Sequence, residues 1–215
     1  MDFKVFGRKI PWLLLFALVA GPLRADLRLR LLSPSYGVSQ IRFDADTGSQ
    51  YDLRQTSVAA DLLGLEGRHD KFPWLSLGTA VFLRYDSAEL SSVKSVSSGT
   101  GGSITIKSAS FHMSTLAPCL MLTVYPFPNA EPLEPFVEAR CELYEFSESS
   151  LESPGIDRYR PSLSIGLRSE PNETGYFWGA RLTAGRRGYS GSFDGLGIPD
   201  PYVFGLQVDW IGLLL

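Results

Sequence analysis

The chain has 215 residues, 44% of them apolar and 12% aromatic, with 21 Gly, 14 Pro and a net charge of −3. Its basic residues are dispersed, which argues against a nucleic-acid interface, and two Cys with two His are too few for a Cys/His metal centre. Mean hydropathy is near neutral at +0.02, so a membrane-inserted form has to hide its apolar surface in period-2 alternation.

Lys4, Arg8 and Lys9 precede an apolar run from Ile10 to Ala20, and small residues follow. This is the layout of a secretory signal peptide, cleaved after Ala20 or, preferably, after Ala25, where an alternating strand begins directly. The apolar run is shorter than the roughly 20 residues a spanning helix needs. No Cys stands near the cleavage site, so a lipid-anchored form is not expected. The expected organisation is a signal peptide over 1–25 and one exported domain over 26–215.

Beyond the leader no convincing helical period occurs, and eight strands are expected in chain order. The first covers about 26–43, with Pro34 and Gly37 as points where it can kink. The second covers about 54–67. The third, 75–85, sets Leu75, Leu77, Thr79, Val81, Leu83 and Tyr85 on one face against Ser76, Gly78, Ala80, Phe82, Arg84 and Asp86. The fourth, 108–127, is apolar on both faces, so its orientation stays open. In the fifth, 136–146, Val137, Ala139, Cys141 and Leu143 oppose Glu138, Arg140 and Glu142. The sixth (160–168) opposes Leu163, Ile165 and Leu167 to Ser162, Ser164, Gly166 and Arg168. The seventh (176–187) opposes Tyr176, Trp178, Ala180, Leu182 and Ala184 to Phe177, Gly179, Arg181, Thr183 and Gly185. In the last, ending at 214, Phe204, Leu206, Val208, Trp210, Gly212 and Leu214 oppose Gly205, Gln207 and Asp209.

The connections alternate in length after the first. Those at 68–73, 127–134 and 169–174 are short, and the Ser/Gly-rich link at 87–107 is the longest. Short turns at one end and long loops at the other are the pattern of an up-and-down transmembrane barrel with both termini in the periplasm. Tyr85, Tyr144, Tyr176, Trp178, Tyr202, Phe204 and Trp210 fall mostly near strand ends, where such barrels carry interfacial girdles. The competing architecture is a soluble barrel or sandwich of the lipocalin kind.

The stretch from Leu122 to Asn129 (LTVYPFPN), followed by Pro135-Phe136-Val137-Glu138-Ala139, resembles the central hairpin of OmpW-like and OmpA-like eight-stranded outer-membrane proteins. Glu138 and Arg140 stand where that family has glycines, and Leu215 replaces its usual terminal Phe. The resemblance implies an all-β, eight-stranded antiparallel barrel in the outer membrane of a Gram-negative-type envelope, porin-like in architecture. Its implied partners are outer-membrane lipids and lipopolysaccharide, the barrel assembly machinery and periplasmic chaperones. No cofactor and no nucleic acid are expected, and a monomer is.

By strand parity Arg28, Arg30, Arg84, Arg140, Arg168 and Arg181 point inward, with Asp61, Glu138, Glu142 and Asp209. Charges inside so narrow a ring have to pair. The expected result is a structural polar plug, or the lining of a narrow pore for ions or small solutes. An envelope or surface-interaction role through the external loops follows from the first, conduction from the second. A third reading rests on His112-Met113-Ser114, which resembles the His-x-Ser pair on the outer face of PagL-type lipid A deacylases and implies a membrane-embedded lipid A-modifying hydrolase with Glu138 or Glu142 as the acid; these glutamates, however, fall on the inward face, and no enzymatic activity is expected. A hairpin centred near residue 130 pairs positions summing to about 260, so Cys119 and Cys141 are candidates for a cross-strand disulfide if both face one way.

Overall fold

The structure, a computed structural model, describes residues 25–44, 50–69, 71–94, 108–142, 146–149, 160–186 and 202–214. The proposed leader lies outside the described residues. Strands form where the period-2 runs stand: β1 (Ala25–Asp44), β2 (Gln50–His69), β3 (Phe72–Lys94), β4 (Ser108–Val124), β5 (Leu133–Glu142), β6 (Phe146–Ser149), β7 (Arg160–Ser169), β8 (Tyr176–Arg186) and β9 (Tyr202–Leu214). All pairings are antiparallel, and the order β3-β2-β1-β9-β8-β7-β5-β4 is closed into a ring by the β3–β4 ladder. Apart from the short β6, which pairs with β4, chain neighbours are sheet neighbours, and the first strand seals against the last, from Arg28↔Leu214 to Val38↔Phe204. Closure removes the unpaired edges that an open antiparallel sheet would carry.

Nine segments replace the eight strands expected, because the fifth run is divided. β5 and β6 both pair with β4, as Cys119↔Glu142 and then Leu116↔Phe146, so they lie successively along one neighbour. The register sum moves from 261 to 262 between them. Pro118 of β4 falls at this break, and a proline has no N–H to give to a ladder.

The short connections, 70–71, 125–132 and 170–175, lie at one end of the ring together with the start of β1 and the end of β9. Asn129 (φ 62°) and Gly175 (φ 81°) supply the left-handed residues that two of these turns require. The Asn172 carboxamide ties the last turn by accepting the N–H groups of Thr174 and Tyr176. Connections 45–49, 95–107, 150–159 and 187–201 belong to the other end.

Side-chain polarity is inverted relative to a water-soluble domain. Leu77, Val81, Leu83, Leu122, Ile165, Leu182 and Leu206 are exposed on the outside, while Arg30, Arg84, Arg168 and Arg181 are almost completely buried. The alternation has one fault line. On β1 the inward residues are even at Arg28 and Arg30 but odd from Ser33, and on β2 they are even at Glu66 and Arg68 but odd from Asp61. Leu32 adopts φ 48°, a left-handed conformation costly for a leucine, and β2 shifts register against β3 between Asp61 and Leu63. The β8–β9 ladder shifts at the same level, between Phe177 and Gly179. A single crease therefore crosses β2, β1 and β9, while β8 keeps Phe177, Gly179 and Arg181 inward. It reverses the expected orientation of Gly212, whose inward position places it against the Phe177 ring, where a Cβ would overlap the ring carbons.

Candidate functional site in the ring interior

At the short-connection end the interior is closed by guanidinium groups stacked on rings. Arg68 lies 4.0 Å from the Tyr125 ring centroid, and Arg168 lies 5.1 Å and 5.3 Å from Phe136 and Phe177. Such contacts add a face attraction to the charge pairing. Arg68 also donates to Glu134 at 2.6 Å, and Arg28 reaches the same carboxylate at 3.5 Å. The second oxygen of Glu134 accepts the Asn129 backbone N–H at 2.9 Å, which anchors the 125–132 turn to the plug. Tyr125 stands just past β4 and turns its hydroxyl inward, donating to Glu66 and accepting from Arg168. Burial pushes this phenol up to about 12, partly offset by Arg168 and reinforced by Glu66.

The central layer is a continuous ion-pair network. Arg168 holds Glu66 at 2.8 Å, and Ser76 donates to Glu66 at 2.6 Å. Glu138 receives Arg181 at 2.6 Å, Arg30 at 3.2 Å and Arg140 at 3.4 Å. Arg181 extends to Asp209 at 2.8 Å. Arg140 grips Asp61 with both Nη atoms, at 2.8 and 2.7 Å, and the Gln207 amide adds a bond at 2.9 Å. Bidentate geometry of this kind belongs to arginine rather than lysine. Gly166 makes room for the network: a Cβ there would sit 2.6 Å from Phe136 Cζ and 2.8 Å from Arg181 Cβ.

Toward the other end Arg84 holds Asp86 at 2.8 Å and Glu142 at 3.0 Å, and Gln55 donates to Asp86 at 3.2 Å. Between this group and the central layer lies a polar cavity of about 60 Å³. Its bulky side is Phe82, Arg84, Arg140 and Glu142, and the opposite wall is small and hydroxylic, with Ser35, Ser57, Ser162, Ser164 and Thr183. Water molecules occupy about 30 Å³ each in the liquid, so the space suits very few of them.

All ten residues expected inside are inside. The interior also takes Glu66, Arg68, Asp86 and Glu134, giving, among the described residues, seven arginines (28, 30, 68, 84, 140, 168, 181) against seven carboxylates (61, 66, 86, 134, 138, 142, 209). Unbroken alternation from Asp61 sends Glu66 outward; only the crease turns Glu66 and Arg68 in. Glu134 precedes the fifth run as read from sequence, and Asp86 shares the face of Arg84. Equal numbers matter, because an unpaired charge at this depth would carry a large desolvation penalty.

The cysteines do not pair. Both are free, with Cys119 buried inside and Cys141 half-buried on β5. The ladder pairs Cys119 with Glu142 and Cys141 with Leu120, a register sum of 261 rather than about 260. One residue of register puts the two thiols on opposite faces. The fourth strand, left unoriented by its sequence, turns its odd residues inward: Met113, Thr115, Ala117, Cys119, Met121 and Thr123. His112 accordingly faces out, stacked on Tyr85 at 6.1 Å, while Glu138 and Glu142 face in. The ring wall separates that histidine from both acids.

No family model matches the chain, and no curated protein does.

Proposed function

We propose that the protein is an integral outer-membrane β-barrel, exported by an N-terminal signal peptide, whose ion-paired interior is a plug and whose long-connection end serves envelope structure or surface interaction. The observation that carries this reading is the outer coat. Among the described residues, twenty-six large apolar or aromatic side chains are exposed, and all but Phe127 stand on β1 to β4 and β7 to β9. Water-soluble monomers rarely expose an apolar patch beyond a few hundred Å².

The coat has the height of a bilayer core. Along β3 the outward residues are apolar or Thr from Leu75 to Tyr85, and Ser87 and Glu89 follow. Ten steps of about 3.3 Å at the usual tilt of about 40° rise about 25 Å, the height of the apolar band on such barrels. Exposed aromatics mark both margins: Phe72, Trp74, Tyr176 and Trp178 at the short-connection end, and Tyr36, Tyr85, Tyr202 and Phe204 at the other. Tyr144 and the Trp210 side chain lie outside the described residues. On this reading the surrounding partners are outer-membrane lipids and lipopolysaccharide, and delivery requires periplasmic chaperones and the barrel assembly machinery. The ring is complete in one chain, which favours a monomer.

The seven-by-seven pairing among the described residues favours a closed interior over a conducting one, and the wall between His112 and the two glutamates argues against the hydrolase reading. Purified protein refolded into planar bilayers is expected to show no steps of constant amplitude. Such steps would replace the plug with the narrow-pore reading, for which the polar cavity is the entry point. The membrane assignment is tested by fractionation: the protein should stay with outer membranes through a urea wash and migrate differently on gels when unheated. Release by urea, with one mobility heated or unheated, would favour the soluble barrel.

A further inference from the structure

The ring closes where its first strand meets its last, and this closing seam is interrupted. β1 pairs with β9 from Arg28↔Leu214 to Leu31↔Ile211, and again from Ser35↔Gln207 to Val38↔Phe204. The register sum is 242 on both sides of the gap, so the two halves are in step and no residue is inserted between them. Residues 32–34 and 208–210 face each other without ladder pairs. Among the described residues no other ladder leaves three residues unpaired on both of its strands.

The local sequence explains the gap. Leu32 takes φ 48°, a left-handed conformation that strands do not use. Pro34 has no N–H to give to β9. Ser33 and Asp209 stand at facing register positions and are both buried. Neither Ser33 Oγ nor Asp209 Oδ2 makes a hydrogen bond among the described residues. One side chain bridges the gap instead. Gln207 of β9 is buried, and its amide donates to the Ser33 carbonyl of β1 at 3.3 Å and to Asp61 of β2 at 2.9 Å. It holds three strands together at the level where the ladder fails. Arg140 grips the same Asp61, so the bridge also ties the seam to the ion-pair network. Gln207, Asp61 and Ser35 line the polar cavity.

We propose that the interrupted seam is the line along which the ring parts, and that Gln207 is its latch. With the amide in place, β1 and β9 stay together across residues 32–34 and 208–210. When it lets go, the two strands separate there first and open the wall beside the polar cavity. Local opening begins where backbone hydrogen bonds are fewest, and the β1–β2, β2–β3 and β3–β4 ladders have no gap of this width. Releasing the latch breaks no ion pair, because Asp61 keeps both bonds from Arg140. The seam belongs to the ring whether lipid or water surrounds it, so the inference stands apart from the membrane reading.

Residue-resolved amide exchange by NMR, on the full chain refolded in micelles, tests the latch. Gln207→Leu removes both bonds and should speed exchange over residues 35–37 and 204–206 about tenfold or more. Residues 82–85 and 114–117, on β3 and β4, should keep their rates. Gln55→Leu deletes another buried interior amide, the one donating to Asp86, and should leave the seam unchanged. Tyr36 and Leu206 form an outward-facing pair across the seam. A disulfide between Tyr36→Cys and Leu206→Cys, with Cys141→Ser to avoid mispairing, should return the Gln207→Leu seam to its wild-type rates. The same staple should recover the fold if Gln207→Leu alone does not refold. Exchange that rises equally over 82–85 and 114–117 overturns the proposal, as does an equal rise at the seam in Gln55→Leu. A stapled Gln207→Leu variant that stays fast or unfolded overturns it too.

Discussion

Glu138 offers the sharpest test of the plug. Its carboxylate is completely buried and receives Arg181 at 2.6 Å, Arg30 at 3.2 Å and Arg140 at 3.4 Å. Glu138→Gln keeps the shape but removes the charge, leaving three guanidinium groups around a neutral amide. Three charge-assisted bonds at about 1.5–3 kcal/mol each set an upper limit. Two effects reduce it: the amide carbonyl still accepts, and Asp209 and Asp61 continue to hold Arg181 and Arg140. Breaking a buried pair from one side costs about 3–5 kcal/mol, and the lower end of that range is expected here. Urea unfolding of the refolded protein in vesicles measures it. With a slope near 2 kcal/mol per molar, the midpoint should fall by about 1.5 M. Glu89→Gln, on the exposed outward face of β3, is the control and should shift stability by no more than about 0.5 kcal/mol. If Glu138→Gln behaves like Glu89→Gln, water reaches the carboxylate and the interior is not a dry plug.

Val81→Arg places a charge in the middle of the outer coat and should cost about 2–4 kcal/mol in a bilayer, read as a lower folded fraction by gel mobility; a neutral effect would indicate that water bathes this face. Gly212→Ala forces a methyl into the Phe177 ring and should cost about 1–3 kcal/mol, with recovery when Phe177→Leu is added; no cost would refute the inward position of Gly212. A thiol reagent should label Cys141 first and Cys119 only after unfolding, and electrophoretic mobility should not depend on reductant. The Tyr125 phenol is held above its ordinary value, at about 12, so the folded state keeps its proton where the unfolded state has lost it. Stability is therefore whole below about pH 10 and falls as pH rises toward 12, by roughly 2–3 kcal/mol over the interval; a Tyr125→Phe variant that falls just as steeply would assign the loss to other groups.

Much of the ring was legible because membrane-type alternation is local. In 75–85, 160–168 and 176–187 each side chain's type announces its face, since strand side chains alternate regardless of what lies across the sheet. Arg84, Arg168, Arg181 and Glu138 could be placed inside on that basis alone. The fourth strand resisted because both of its faces are apolar: Met113, Ala117, Cys119 and Met121 fill interior space that Leu116, Leu120 and Leu122 would suit equally well by composition. Only its pairing with β3, Arg84 opposite Thr115 and Phe82 opposite Ala117, decides the matter.

The sequence by itself determined the all-β character, the spacing of the strands and most of the inward charges, because period and polarity are properties of short stretches. Tertiary structure decided where alternation fails. The crease through Leu32 and Leu62 turns Glu66 and Arg68 inward, the register sum of 261 separates Cys119 from Cys141, and equality of charge among the described residues emerges only when seven strands are combined. Each of these depends on one residue of offset between neighbouring strands, and an offset is a relation between segments that no single segment records.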